Sequence, residues 1–248
     1  MADVKISALP AASTPLTGAE VLPIVQSGTT KQVAVNNLFT QHTRQVFLSG
    51  SAATYTTPAN CRQILVRSKG GGGGGGGAAA VDASAGAVGT ATLFNSIGAA
   101  GGAGGGVSFG NGYANALGGT GGAGSASVRI AGAPGTVPTP LYISATNIQM
   151  FGGRGGGQGG GPQGTAGVAN SGGGGGGANG ASVAFASASN TYASVGGGEG
   201  EYVEILINSP SATYTYTVGA GGAAGGAGTG GTAGAAGGSG YIIVDEYY

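Results

Sequence analysis

From residue 44 onward, bulky apolar residues come in short blocks separated by long stretches of glycine, alanine and serine. Residues 45–48, 55–58, 62–68, 202–207, 213–218 and 241–244 have the length and the β-branched and aromatic content of strands. In 62–68, Ile64 and Val66 alternate with Leu65 and Arg67, which predicts a strand covered on both faces. The turn residues Asn208-Ser209-Pro210-Ser211 between 202–207 and 213–218 predict a hairpin, with Tyr214, Tyr216 and Val218 on one face. Between residues 70 and 200 only 127–130, 141–144, 147–151 and 182–185 suggest strands. Phe94, Phe109 and Tyr113 stand there as isolated rings among small residues.

Residues 1–43 follow another pattern. Ile6, Leu9, Leu16, Val21, Leu22, Ile24 and Val25 are interrupted by Pro10, Pro15 and Pro23, which predicts short extended pieces, because proline disfavours helix at and before its position. Residues 26–29 read as a turn, 30–35 as a strand, and 35–41 as a helical turn capped by Asn36 or Asn37. So few bulky groups in about 40 residues predict a module that folds against a partner or against its own copies.

Composition changes the picture, since glycine supplies 61 of the 248 residues. The tracts fall at 70–77, 101–106, 152–161 (broken by Arg154 and Gln158), 172–177, 196–200 and 219–240. Flexible linkers are one reading. The other is a set of polyproline-II-like glycine helices bonded to their neighbours, for which glycine is required because only it permits such close backbone approach. The tract 70–77 follows a strand directly and strands resume after the later tracts, which favours the ordered scaffold. Gly70, Gly73, Gly77, Gly172 and Gly177 are its marker positions.

Charge and reactive groups are scarce. Eight basic and eight acidic residues give a net charge of zero, which removes the electrostatic basis for nucleic-acid or acidic-membrane binding. One cysteine, Cys61, rules out an intrachain disulfide. The start lacks the apolar segment of a signal peptide and no stretch approaches the ~18 apolar residues of a membrane span, so a soluble chain made in a cytoplasm is expected.

Little chemistry suggests itself. GxGxxG strings are expected by chance at this glycine content, and no glycine run continues into Gly-Lys-Ser/Thr. With His42 the only histidine, read as a solvated loop residue, zinc clusters and nucleophilic triads have nothing to draw on. Glu199, Glu201 and Glu204 form the one carboxylate cluster, but no tryptophan is available to build a sugar platform. The single Gly-Gly-Arg-Gly-Gly stretch at Arg154 is weak support for RNA binding. No catalytic residue, metal site or cofactor is expected.

Lys5-Ile6-Ser7-Ala8-Leu9-Pro10, Leu16-Thr17-Gly18-Ala19-Glu20, Leu22-Pro23-Ile24-Val25-Gln26 and the following residues to Leu38 resemble an N-terminal segment of bacteriophage tail fibres and other virion appendages. The order Tyr-Thr-Thr-Pro, Ile-Leu-Val-Arg, then glycines, completed by Gly240-Tyr241-Ile242-Ile243-Val244, resembles their glycine-rich C-terminal domains. The resemblance implies an all-β virion protein in two parts. Residues 1–43 would anchor it to other virion proteins through Ile6, Leu9, Pro10, Leu16, Glu20, Leu22, Pro23 and Val25. Residues 44–248 would form a glycine-rich, β-sandwich-like domain, with sheet halves 45–68 and 202–248, polyglycine-II-like tracts in the insertion 70–200, and homotrimeric assembly. A tail fibre would contact a host-surface glycan or outer-membrane protein, with Phe94, Phe109, Asn111 and Tyr113 as candidate contacts, since rings among small polar residues suit adaptable recognition. The alternative is a purely structural head fibre, decoration or tail-tip protein with no receptor.

Overall fold

The computed structural model describes residues 21–35, 42–79, 82–107, 122–135, 164–178, 182–185, 188–191, 194–229 and 231–248. In chain order the strands are β1 (Val21–Gln26), β2 (Thr29–Ala34), β3 (His42–Phe47), β4 (Ala53–Thr56), β5 (Gln63–Lys69), β6 (Thr92–Phe94), β7 (Ile97–Ala99), β8 (Val128–Ile130), β9 (Ser182–Phe185), β10 (Ala188–Thr191), β11 (Tyr202–Asn208), β12 (Thr213–Thr217) and β13 (Tyr241–Tyr247). The protein is all-β, with several antiparallel sheets and no α-helix among the described residues.

Strands β1 and β2 form a hairpin across Ser27 and Gly28, both at positive φ (50° and 74°), as a two-residue turn with the twist of its flanking strands requires. The anticipated helical turn at 35–41 falls largely outside the described residues. Strands β9 and β10 pair with each other.

Two larger sheets share one apolar cluster. The five-stranded sheet has the order β3-β13-β5-β11-β8 and the four-stranded sheet β4-β12-β6-β7. Ile64, Val66, Ile242 and Val244 of the first meet Tyr55, Phe94 and Tyr216 of the second, all buried. Phe94 stacks on Tyr214 at 5.0 Å between ring centroids, and Phe47 lies 4.5 Å from Tyr216. Burying such rings supplies most of what a core this poor in large residues can gain.

Three expectations are corrected. Strands β11 and β12 are not a hairpin: β11 pairs with β5 and β8, whereas β12 pairs with β4 and β6. Ser209, at φ 51°, and the following Pro210 turn the chain from one sheet to the other. The stretch 70–200 is not a simple insertion either, because β6, β7 and β8 complete the two sheets. Finally, β5 is buried on the face bearing Ile64, Val66 and Ser68, but Leu65 and Arg67 on the other face are half-buried.

Strand β5 runs directly into the tract 70–78, whose N–H groups point outward in rotation. Those of Gly70, Gly73 and Gly76 donate to Glu201, Gly198 and Val195; those of Gly71, Gly74 and Gly77 to Thr90, Ala87 and Ser84; those of Gly72, Gly75 and Ala78 to Gly238, Ala235 and Thr232. The acceptor number falls as the donor number rises, so these three neighbours run antiparallel. Carbonyls return the pattern: Gly71 and Gly74 accept from Gly102 and Gly105, Gly72 and Gly75 from Gly222 and Gly225, Gly73 and Gly76 from Gly175 and Ala178, all parallel. A chain that addresses its neighbours every third residue has the repeat of a polyproline-II helix, whose backbone groups can bond only outward.

The central tract is thus ringed by six others, alternately antiparallel and parallel. The ring closes through its own bonds, such as Gly89 to Gly102, Gly198 to Ala103, Gly197 to Gly175, Gly238 to Gly173, Gly237 to Gly222 and Thr90 to Ala220. Two further tracts lie outside it: Glu199 donates to Ala133, and Gly167 to Ala236.

Candidate functional site

Glycine is required where tracts touch. A β-carbon at any position from 70 to 77 would lie 1.9–2.3 Å from a neighbouring carbonyl oxygen, including Ala100 for Gly70, Ala103 for Gly73 and Gly226 for Gly77. At Gly177 it would meet the Ser194 carbonyl oxygen at 2.4 Å, and Gly172 also holds a positive φ of 66°. On ring tracts glycines face both inward and sideways: Gly86 and Gly89 meet Gly74 and Gly71 of the central tract, and Gly219 and Gly221 meet Thr90 and Gly237 of neighbouring ring tracts, while Ala87, Ala220 and Ala223 are exposed.

The five-stranded sheet and the bundle that continues it have two ends. His42, Gln63, Asn208 and Tyr247 share one end of the five-stranded sheet, where the chain arrives from the N-terminal module. Lys69, Tyr202 and Tyr241 share the other, and the bundle continues from there. Seven strand residues at ~3.3 Å and nine tract residues at ~3.1 Å place its far end about 50 Å away. Ala78, Gly106, Ala178 and Val195 lie around that far end, as do Gly135 beside Gly196 and Gly164 beside Gly176. The chain therefore leaves the bundle repeatedly at one tip.

The candidate contact residues separate. Phe94 is buried, 1% exposed, in the shared core; that expectation is corrected, because β6 belongs to a sheet and not to a loop. Phe109, Asn111 and Tyr113 lie outside the described residues. Of the anchoring candidates, Leu22, Pro23 and Val25 are exposed on β1, whereas Ile6, Leu9, Pro10, Leu16 and Glu20 lie outside the described residues.

Most charged groups of the five-stranded sheet are bonded to one another. Asp245, fully buried, takes Arg44 Nε at 2.6 Å, Arg67 Nη2 at 2.5 Å and His42 Nε2 at 2.9 Å. Burial would raise its pKa, but the hydrogen bonds from Arg44 and His42 and the charges of Arg67 and Arg44 outweigh it and hold the carboxyl below its ordinary value. His42 is therefore a partly exposed hydrogen-bond partner of Asp245 at the start of β3, not a loop residue. Glu246, on the opposite face, accepts from Thr43 Oγ1, Gln45 Nε2 and Tyr55 Oη. Burial first, and then the bond to Glu246, push the Tyr55 hydroxyl far above its ordinary pKa.

The carboxylate cluster does not act as one group. Glu199 meets Lys69 at 3.3 Å, Glu204 meets Arg67 at 3.8 Å, and Glu201 accepts from Arg129 Nη1 at 3.1 Å and from the N–H groups of Ala100 and Gly122 at 3.0 Å. Arg129 also donates to the carbonyls of Gly98, Ala123 and Gly124, fastening the chain where it returns after residue 121. Sequence reading missed this clamp, whose partners are mostly backbone groups. Cys61 lines an open groove of about 650 Å³ with Asn60, Arg62, Ser209 and Pro210, and its thiol donates to the Gln63 carbonyl at 3.3 Å. Among the described residues no cluster of three or more His, Cys, Asp or Glu is arranged to hold a metal, and no helix is long and apolar enough to cross a membrane.

No protein-family model, curated protein or solved structure matches the chain.

Proposed function

We propose that this chain is a structural phage virion protein, a tail fibre whose distal glycine-rich domain contacts a host-surface receptor. In this reading residues 1–43 attach it to other virion proteins, the two sheets form a β-sandwich, and the surrounded tracts are a polyglycine-II bundle that stiffens the path to the tip. The protein acts without catalysis or nucleic acid, as a homotrimer. The N-terminal resemblance to virion appendages supports the setting.

The observation that carries the receptor role is the polarity of the domain. Its chain arrives at one end, and at the other, about 50 Å away by ~3.3 Å per strand residue and ~3.1 Å per tract residue, several segments depart from one rigid tip. Loops set on a rigid scaffold are the usual carriers of recognition. Several identical tips would strengthen weak contacts ~10² to 10⁴-fold. The test uses the full chain, fluorescently labelled: it should bind host cells and compete with phage adsorption. A folded trimer that does neither removes the receptor role and leaves the purely structural virion component, whose position in an image of the particle would identify it.

A further inference from the structure

Residues 122–135 run along the outside of both the sheets and the bundle. They pass the turn between β6 and β7, where Gly124 lies against the Ser96 carbonyl, and add β8 to the edge of β11. They continue beside the tract 196–200, with Gly132 and Gly135 against the carbonyls of Glu199 and Gly196.

What holds this stretch differs from what holds the opposite edge of the sheet. Edge strand β3 pairs with β13 over six residues and sends Phe47 against Tyr216 in the shared core. Strand β8 pairs with β11 over only three, and its Val128 and Ile130 point outward, 41% and 46% exposed. Its one inward residue is Arg129, opposite the buried Val203. No residue of 122–135 belongs to the apolar cluster. Beyond the short ladder the attachment is polar. Arg129 Nη1 donates to Glu201 Oε2 at 3.1 Å and to the Gly98 carbonyl at 3.0 Å, and the Gly122 amide donates to the same Glu201 oxygen at 3.0 Å. The Gly98 amide donates to the Ala123 carbonyl at 2.8 Å, and the Glu199 amide to the Ala133 carbonyl at 2.9 Å.

We propose that residues 122–135 are a releasable strap, which lifts away as one unit when Arg129 leaves Glu201 while both sheets and the glycine bundle stay closed. Each bond broken is replaced by one to water, and no cluster of large apolar side chains is uncovered, so opening costs far less than unfolding.

The bonds divide in a way that suits release. Of the three donors gathered on Glu201 Oε2, Arg129 and the Gly122 amide belong to the strap, whereas the Ala100 amide belongs to the body. The last bond survives opening, so Glu201 keeps a partner. Arg129 also donates to the Ala123 and Gly124 carbonyls at 2.7 and 2.6 Å, inside the strap itself, and keeps these when it leaves. Release would open the β11 edge from Tyr202 to Glu204 and leave the chain between Gly106 and Gly164 attached to the bundle only at those two ends. The strap thus controls how much chain is held against the surface, whatever that chain binds.

The test is native-state hydrogen exchange on the full chain, because a partial opening appears as a group of amides sharing one rate. The amides of Gly98, Gly122 and Glu199, which bond across the boundary between strap and body, should exchange together and at least ~100-fold faster than those of Gly72 and Gly75. The Ala100 amide, bonded within the body, should not join them. A lock gives the second measurement: Val128→Cys with Glu204→Cys, a directly opposed pair, in a Cys61→Ser background. Opposed Cα atoms ~4.5–5.5 Å apart are within disulfide range. Oxidation should slow the three amides at least ~10-fold, and reduction should restore their rate. Strap amides that exchange only together with Gly72 and Gly75 overturn the proposal. So does an Ala100 amide that exchanges with the strap, or a formed disulfide that leaves the strap rate unchanged.

Discussion

Gly73 lies so close to Ala103 that a β-carbon on Gly73 would sit 1.9 Å from the Ala103 carbonyl oxygen. The obstruction is backbone, and Ala103 in turn accepts from Gly198, so neither strand of contact can shift alone. Gly73→Ala should therefore cost more than the ~1–3 kcal/mol of ordinary overpacking. At Gly226 a β-carbon would meet only the Ser84 hydroxyl at 3.3 Å, so Gly226→Ala should change stability by less than ~0.5 kcal/mol. Thermal unfolding of the two variants beside the wild type separates a packed bundle from a linker, which would tolerate both.

Much of this was readable from residue order. The strands at 62–68, 202–207, 213–218 and 241–244 announced themselves by β-branched and aromatic density; the first three appear within a residue, and the last runs on through Asp245 and Glu246 to Tyr247. Strands β6 and β7 were not legible. They are three residues each, and Phe94 among small residues looks like a displayed ring until the aromatic cluster of Tyr55, Tyr214 and Tyr216 is assembled around it. The partition of β11 and β12 into different sheets was hidden for a similar reason, since a four-residue turn permits a hairpin and only the remaining strands decide otherwise.

Asp245 gives the domain a predictable acid response. Its pKa is depressed in the folded protein, so its contribution is fully present above the unfolded value of ~3.9 and is lost as pH falls through the lower folded value. Stability measured from pH 6 down to 2 should fall below about pH 4. Asp245→Asn should destabilise at neutral pH by ~1–3 kcal/mol, because Arg44 loses its charged acceptor and Arg67 keeps only the longer contact to Glu204, and should flatten the acid limb. An unaltered limb would show that other carboxylates carry it.

Glu201 should behave as a clamp. It is 2% exposed and gathers Ala100 N–H, Gly122 N–H and Arg129 onto one carboxylate. Glu201→Gln removes the charge and turns a donor group toward donors, which should cost ~2–4 kcal/mol. Amide exchange gives the local readout: the Ala100 and Gly122 amides should lose protection well before those of Gly72 and Gly75 at the bundle centre. Uniform loss across all four would mean that the clamp and bundle open as one unit.

The two kinds of aromatic residue in the stretch 70–200 can be told apart directly. Phe94 packs among Tyr55, Tyr214 and Tyr216, so Phe94→Ala should cost ~3–5 kcal/mol and lower host-cell binding only through loss of folded protein. Phe109 and Tyr113 lie outside the described residues, and the receptor reading assigns them contact area and not core volume. Phe109→Ala with Tyr113→Ala should leave the melting temperature within ~2 °C and reduce binding of the assembled fibre at least tenfold, since loss at every tip compounds through avidity. Melting and cell binding measured on the same preparations decide it. A double variant that melts normally and binds normally removes these rings from the contact surface, and one that unfolds early makes them core residues like Phe94.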